Sequence, residues 1–161
     1  MIDFKELDQK NSGQRLQQLA YALGKSMNLK PYYSGPGPDD GIDLIYYDLI
    51  SSPVAEWTVK WLVQCKDFSS SGTSVAEKDV GCIYDKVLRH DCHGYLLIAT
   101  TDMTAGLSKL LNKLGQQSQG PILTACWNGP VLEKLLINSA SVLHQFMPNA
   151  HAELKKQGLV A

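Results

Sequence analysis

Gly37-Pro38-Asp39-Asp40-Gly41-Ile42-Asp43-Leu44 is the stretch that decides the fold, and Val63-Gln64-Cys65-Lys66 answers it about twenty residues further on. The first is a loop, punctuated by glycine and proline, that delivers acidic side chains to the start of a strand. The second closes a strand in which period-two alternation puts Gln64 and Lys66 on the same side. Pairing the two strands brings Asp43, Gln64 and Lys66 toward one small volume. A carboxylate, an amide oxygen and an ammonium gathered there suit a hard cation beside a phosphate.

Outward from this pair, β-branched and aromatic residues argue strands from Ile42 to Tyr47 and from Glu56 to Lys66. In the longer one Trp57, Val59, Trp61, Val63 and Cys65 share a core face. Lys60, Leu62, Gln64 and Lys66 share the other, which the pattern predicts to front a cleft. Upstream, Leu16, Leu19, Ala20 and Leu23 make a helical stripe with Gln14, Gln17 and Gln18 around the other side. Lys30 to Tyr33 reads as an extended crossing, because the residue before proline avoids the helical region. Residues 1–11 are polar and read as a flexible N-terminus.

Downstream, Ser74 and Glu77 have capping-box spacing before a helix carrying Val80, Ile83, Tyr84, Val87 and Leu88. Gly94 to Thr100 is the nearly unbroken apolar run of a strand buried on both faces. A helix with Leu107, Leu110, Leu111 and Leu114 inward follows, then a strand from Ile122 to Trp127. Two more helices carry Val131, Leu132, Leu135 and Leu136, then Val142, Leu143 and Phe146. Residues 148–161 lose the periodicity and read as a polar tail or linker stub. The order α-β-β-α-β-α-β-α predicts an α/β domain over 12–147, with a mixed four- to five-stranded sheet flanked by helices.

The chain of 161 residues is 44% hydrophobic and 19% charged, enough for one core without staples. Fifteen basic residues against sixteen acidic ones leave a net charge of −1, with a sequence pI near 6.4. That balance argues against a stand-alone, tight nucleic-acid binder, so attraction to phosphate has to come from local patches or a metal. Cysteines 65, 82, 92 and 126 follow no disulfide framework. No apolar run approaches the roughly 20 residues of a membrane span. Reduced, soluble and cytoplasmic is the expectation. His90-Asp91-Cys92-His93 offers potential zinc ligands but lacks paired spacing, and turn chemistry explains it. Lys109 and Lys113, four apart on one helix, suit either a backbone-phosphate contact or a solvated face.

On these two motifs and this element order, the chain resembles the PD-(D/E)xK nucleases, most closely the Mrr-like type IV restriction endonucleases. The loop ending Gly41-Ile42-Asp43 is similar to that group's Gly-Ile-Asp, and Val63-Gln64-Cys65-Lys66 to its Val-Gln-Cys-Lys. Gly94 to Thr101 resembles its third strand, and Trp127-Asn128-Gly129-Pro130-Val131-Leu132 its closing strand-to-helix turn. The family often carries a glutamate on the first helix; the nearest match here is Leu16-Gln17.

The resemblance implies a restriction-endonuclease-like core and Mg²⁺-dependent endonucleolytic cleavage of DNA, double-stranded by expectation, with Mn²⁺ able to substitute. It assigns Asp43, Gln64 and the Cys65 backbone carbonyl to the metal. Lys66 orients or deprotonates the attacking water, or neutralises the phosphate. Asp39 and Gln17 are possible additional site residues, although Asp39-Asp40-Gly41 also suits a plain turn. Similar domains are fused to antiphage sensors, which implies a homo-oligomer or a longer parent chain in a restriction or anti-phage system. The alternative is a catalytically inactive module of the same fold that binds nucleic acid or mediates protein interaction.

Overall fold

A computed structural model of the chain describes residues 1–7, 12–34 and 41–161. Helix α1 spans Ser12–Ser26, followed by strands β1 (Lys30–Tyr33), β2 (Leu44–Ser51) and β3 (Glu56–Lys66). Short helices α2 (Glu77–Val80) and α3 (Ile83–Arg89) lead to β4 (Gly94–Ala99), α4 (Ala105–Gln116) and β5 (Leu123–Trp127). Helices α5 (Gly129–Ile137), α6 (Ala140–Phe146) and α7 (Pro148–Lys156) close the chain. The sheet order is β1-β2-β3-β4-β5, antiparallel through β3 and parallel from β3 to β5.

The sheet separates two apolar layers. One packs α1, α5, α6 and α7 through Leu16, Leu19, Leu23, Leu132, Leu143 and Leu154 onto Leu44, Val63 and Ile98. The other packs α2, α3 and α4 through Val80, Ile83, Val87, Leu107 and Leu111 onto Leu62, Tyr95 and Leu97. All six residues of β4 are buried, as its unbroken apolar run requires. Helix α1 sits close to β2 because Gly24 has no side chain. A Cβ there would lie 2.8 Å from the Tyr46 ring, whose hydroxyl donates to the Ala20 carbonyl at 2.5 Å.

Several expectations need correction. Lys30 to Tyr33 is not a crossing but edge strand β1, paired with β2 from Lys30↔Tyr47 to Tyr33↔Leu44. An edge tolerates Pro31, which has no N–H to give. The second face of β3 is core rather than cleft at Leu62 and Gln64, both buried in the second layer. Trp57 is 48% exposed, because β3 begins beyond the covering helices. The helix after Ser74 is broken in two at Gly81, whose φ of 68° suits glycine. The break turns Leu88 outward, 58% exposed. Its cap is Asp79, which accepts the Ala76 N–H at 2.8 Å.

Residues 1–7 and the segment after 147 both pack on the core, whereas 8–11, the rest of the stretch read as a flexible N-terminus, lie outside the described residues. Ile2, Phe4 and Leu7 are buried in the α1 layer, with Phe4–Leu7 in a 3₁₀ turn. The segment read as a tail begins with α7, which buries Leu154. Glu6 accepts the Asn149 and Ala150 N–H groups at 2.8 and 3.0 Å, capping the start of α7.

Candidate active site

Because β2 runs against β3, the start of β2 and the carboxyl ends of β3 and β4 lie at one edge of the sheet. Asp43 stands just before β2, its N–H donating to the Val63 carbonyl at 3.0 Å. Its carboxylate turns past the sheet end and accepts two hydrogen bonds. The Cys65 backbone N–H reaches Oδ2 at 2.6 Å, and the Gln17 amide reaches Oδ1 at 2.6 Å. Alternation aims the Cys65 carbonyl, two residues beyond Val63, toward the same β2 side.

Burial raises the Asp43 pKa above the ordinary carboxylate value. The Cys65 N–H, then Lys66 and Lys86, pull it back down without cancelling the shift. The Cys65 thiol is buried and pushed well up by desolvation, so it stays neutral. Lys66 is half-buried; its carbonyl accepts the Thr100 N–H at 3.2 Å, and among the described residues its ammonium makes no ion pair with Asp43. Its strand end is fixed from the far side: Asp67 accepts the Ser69 hydroxyl at 2.6 Å and the Thr100 hydroxyl at 2.9 Å.

Gln64 lies opposite Asp43 by the register of β2 and β3, but its tip serves other partners. It is 2% exposed, and its Oε1 accepts the Tyr95 hydroxyl at 2.8 Å. Its Nε2 faces the Gly41 turn, where a Cβ would come within 2.8 Å. The Tyr95 hydroxyl uses one of the two lone pairs of Gln64 Oε1. Asp39, in the loop before Gly41, lies outside the described residues. Lys109 and Lys113 are exposed on α4, which runs from the carboxyl end of β4 back toward the start of β5 and so leads away from Asp43.

Two residues of the site were not read from sequence. Lys86 on α3 donates to the Val80 carbonyl at 2.8 Å and lies 3.2 Å from a Cβ built at Gly41. An unbroken helix over Val80 to Leu88 hides it; the turn at Gly81 aims it at this edge. Tyr95 is the other, and only the β3–β4 crossover places it under Gln64. The His90–His93 segment is a turn, with Asp91 at φ 52° and His93 Nδ1 accepting the Lys60 N–H at 2.9 Å.

The groups here that could ligate a cation are the Asp43 carboxylate, the Cys65 carbonyl and the Gln64 side-chain oxygen, all hard oxygens. That fits Mg²⁺, which is usually held by one or two carboxylates plus substrate oxygens. Among the described residues no three of His, Cys, Asp and Glu gather where they could hold a metal ion.

A mixed sheet between helical layers, with a carboxylate and a lysine at the carboxyl edge of its middle strand, defines a restriction-endonuclease-like α/β domain. The chain belongs to the restriction endonuclease family: the model of its Mrr-type catalytic domain matches residues 8–117. Among solved structures it is similar to the DNA modification-dependent restriction endonuclease AspBHI, with TM-score 0.59 and 14% identity over 95% of this chain and 43% of that one. It is also similar to the MspJI restriction endonuclease, solved in complex with a 27-mer oligonucleotide, with TM-score 0.55 and 17% identity over 95% and 33%. A protein of unknown function, AF1548, matches with TM-score 0.53 and 13% identity over 76% and 64%. The chain spans less than half of the first two proteins. No curated protein matches it. No helix among the described residues is long and apolar enough to cross a membrane.

Proposed function

We propose that the chain is a DNA endonuclease module that hydrolyses phosphodiester bonds with Mg²⁺, for which Mn²⁺ can substitute. The observation that carries this reading is the Asp43 carboxylate. It is held by the Cys65 N–H and the Gln17 amide at the sheet edge where Lys66 ends β3. Asp43, the Cys65 carbonyl and Gln64 are the groups that would hold the cation, with Gln17 adding its oxygen if the amide that now donates to Asp43 turns over. A divalent ion in such a site supplies charge stabilisation on the phosphate and a more acidic bound water.

The chain's own residues do the rest. Asp43, whose pKa burial raises against the pull of the Cys65 N–H and two lysines, sets the position of the site. Lys66 offers its ammonium either to the attacking water or to a non-bridging phosphate oxygen. Tyr95 and Gln64 hold the Gly41 turn that carries Asp43. The net charge of −1 leaves little general attraction for DNA. We therefore infer that the module works as a homo-oligomer or fused to a sensor or targeting domain, in a restriction or anti-phage system in the cytoplasm.

The test is supercoiled-plasmid cleavage with Mg²⁺, parent against Lys66→Ala. Loss of at least about a hundredfold in rate is expected for a group acting on water or phosphate; equal rates would remove the assignment. A second reading, a non-cutting module that binds nucleic acid or a protein, is favoured by one observation: among the described residues no three of His, Cys, Asp and Glu gather where they could hold a metal ion. Parent protein that binds a duplex but leaves plasmid intact at high concentration in Mg²⁺ and Mn²⁺ supports it.

A further inference from the structure

Gln14, Gln17, Gln18 and Tyr21 are spaced i, i+3, i+4, i+7 on one face of α1, the glutamines outside the core and Tyr21 partly buried against it. It looks across to β1, where Tyr33 stacks on Tyr21 with ring centroids 4.8 Å apart and planes 6° from parallel. Gln14, Gln17, Gln18 and Tyr33 enclose an open groove of about 330 Å³. Its Gln17 wall is the amide that bonds Asp43, so the groove adjoins the candidate active site. Tyr33 remains 51% exposed although Tyr21 stacks on it, which makes it a rigid plate with open surface.

Among the described residues the lining carries no formal charge. Arg15, the nearest cation on α1, is drawn off: its guanidinium lies 4.6 Å above the Phe146 ring. One of its nitrogens approaches Gln18 Oε1 at 3.5 Å, which leaves the Gln18 NH₂ as a donor. In DNA complexes amide side chains pair with base edges, adenine above all, as well as with phosphates, and aromatic rings stack on exposed bases. Neutral amides beside an exposed tyrosine ring suit a base better than a phosphate alone.

We propose that this groove is a nucleoside-binding subsite: Tyr33 stacks on the base or sugar next to the scissile phosphate, and Gln14 and Gln18 hydrogen-bond to its edge. The proposal rests on the nuclease reading and extends it from the bond cut to the nucleotide beside it. It also gives α1 a part in deciding where a strand is cut.

The experiment measures binding of a fluorescent duplex oligonucleotide by anisotropy, with Ca²⁺ replacing Mg²⁺, across a salt series. Tyr33→Ala is expected to weaken binding about tenfold, the scale of one base–aromatic stack, while Tyr33→Phe stays within about twofold. The slope of log Kd against log salt is expected to be the same for all, because no phosphate contact is lost. If Tyr33→Ala does not fold, the exposed pair Gln14→Ala/Gln18→Ala carries the test, with weaker binding and a changed distribution of cut positions expected. Parent-like binding and cutting by these variants, or a loss explained by a shallower salt slope, overturns the subsite. If the parent cuts plasmid in a Lys66-dependent way and the variants match it, only the subsite falls; a parent that neither binds nor cuts ends both readings.

Discussion

Asp43 is the side chain on which the proposed chemistry rests, and it is buried at a cost. Burial raises its pKa above the ordinary value of 3.8, so the folded state binds its proton more tightly than the unfolded state does. That contribution to stability is complete below the ordinary carboxylate range and is lost as pH rises through the raised value. Metal-free Asp43→Asn is therefore expected to gain on the parent as pH rises through that window and to melt no lower at pH 7. Parallel melting-temperature profiles for the two proteins would contradict this. Tyr95→Phe removes the donor to buried Gln64 Oε1 and is expected to destabilise by about 1–3 kcal/mol in urea unfolding. At this scale the sequence is legible where chemistry is local: Asp43 and Lys66 are named by two short motifs. Tyr95 and Lys86 are not, since one depends on a crossover pairing and the other on the helix break at Gly81.

The elements that place those residues are readable in proportion to the apolar surface they bury. The α1 stripe and the β4 run declare themselves, because each has a core face with the right period. Strand β1 has four residues with only Pro31 buried, and helix α7 buries only Leu154, so neither has a pattern to find. Both form because of distant partners: β2 supplies the ladder for β1, and Glu6 caps α7. Glu6→Ala is expected to cost about 1 kcal/mol and to speed hydrogen exchange at the Asn149 and Ala150 amides; unchanged exchange there would refute the cap. Gly24→Ala forces a methyl to within 2.8 Å of the buried Tyr46 ring. A loss of about 1–3 kcal/mol is expected, with weaker Mn²⁺ binding by calorimetry as α1 withdraws Gln17 from Asp43. Full stability and affinity in that variant would show that α1 does not set the site.

Across the whole molecule, two apolar layers hold a mixed sheet whose parallel half ends where Asp43, Cys65 and Lys66 meet. Lys66 and Lys86 supply local positive potential at that edge within a chain of net charge −1. The central claim is that this edge takes a divalent cation, and anomalous diffraction from crystals soaked in Mn²⁺ tests it most directly. A single strong peak at about 2.1 Å from an Asp43 carboxylate oxygen, absent in Asp43→Asn, is the expected result. A cleaving protein whose peak lies elsewhere, or whose Asp43→Asn form keeps it, would contradict the account.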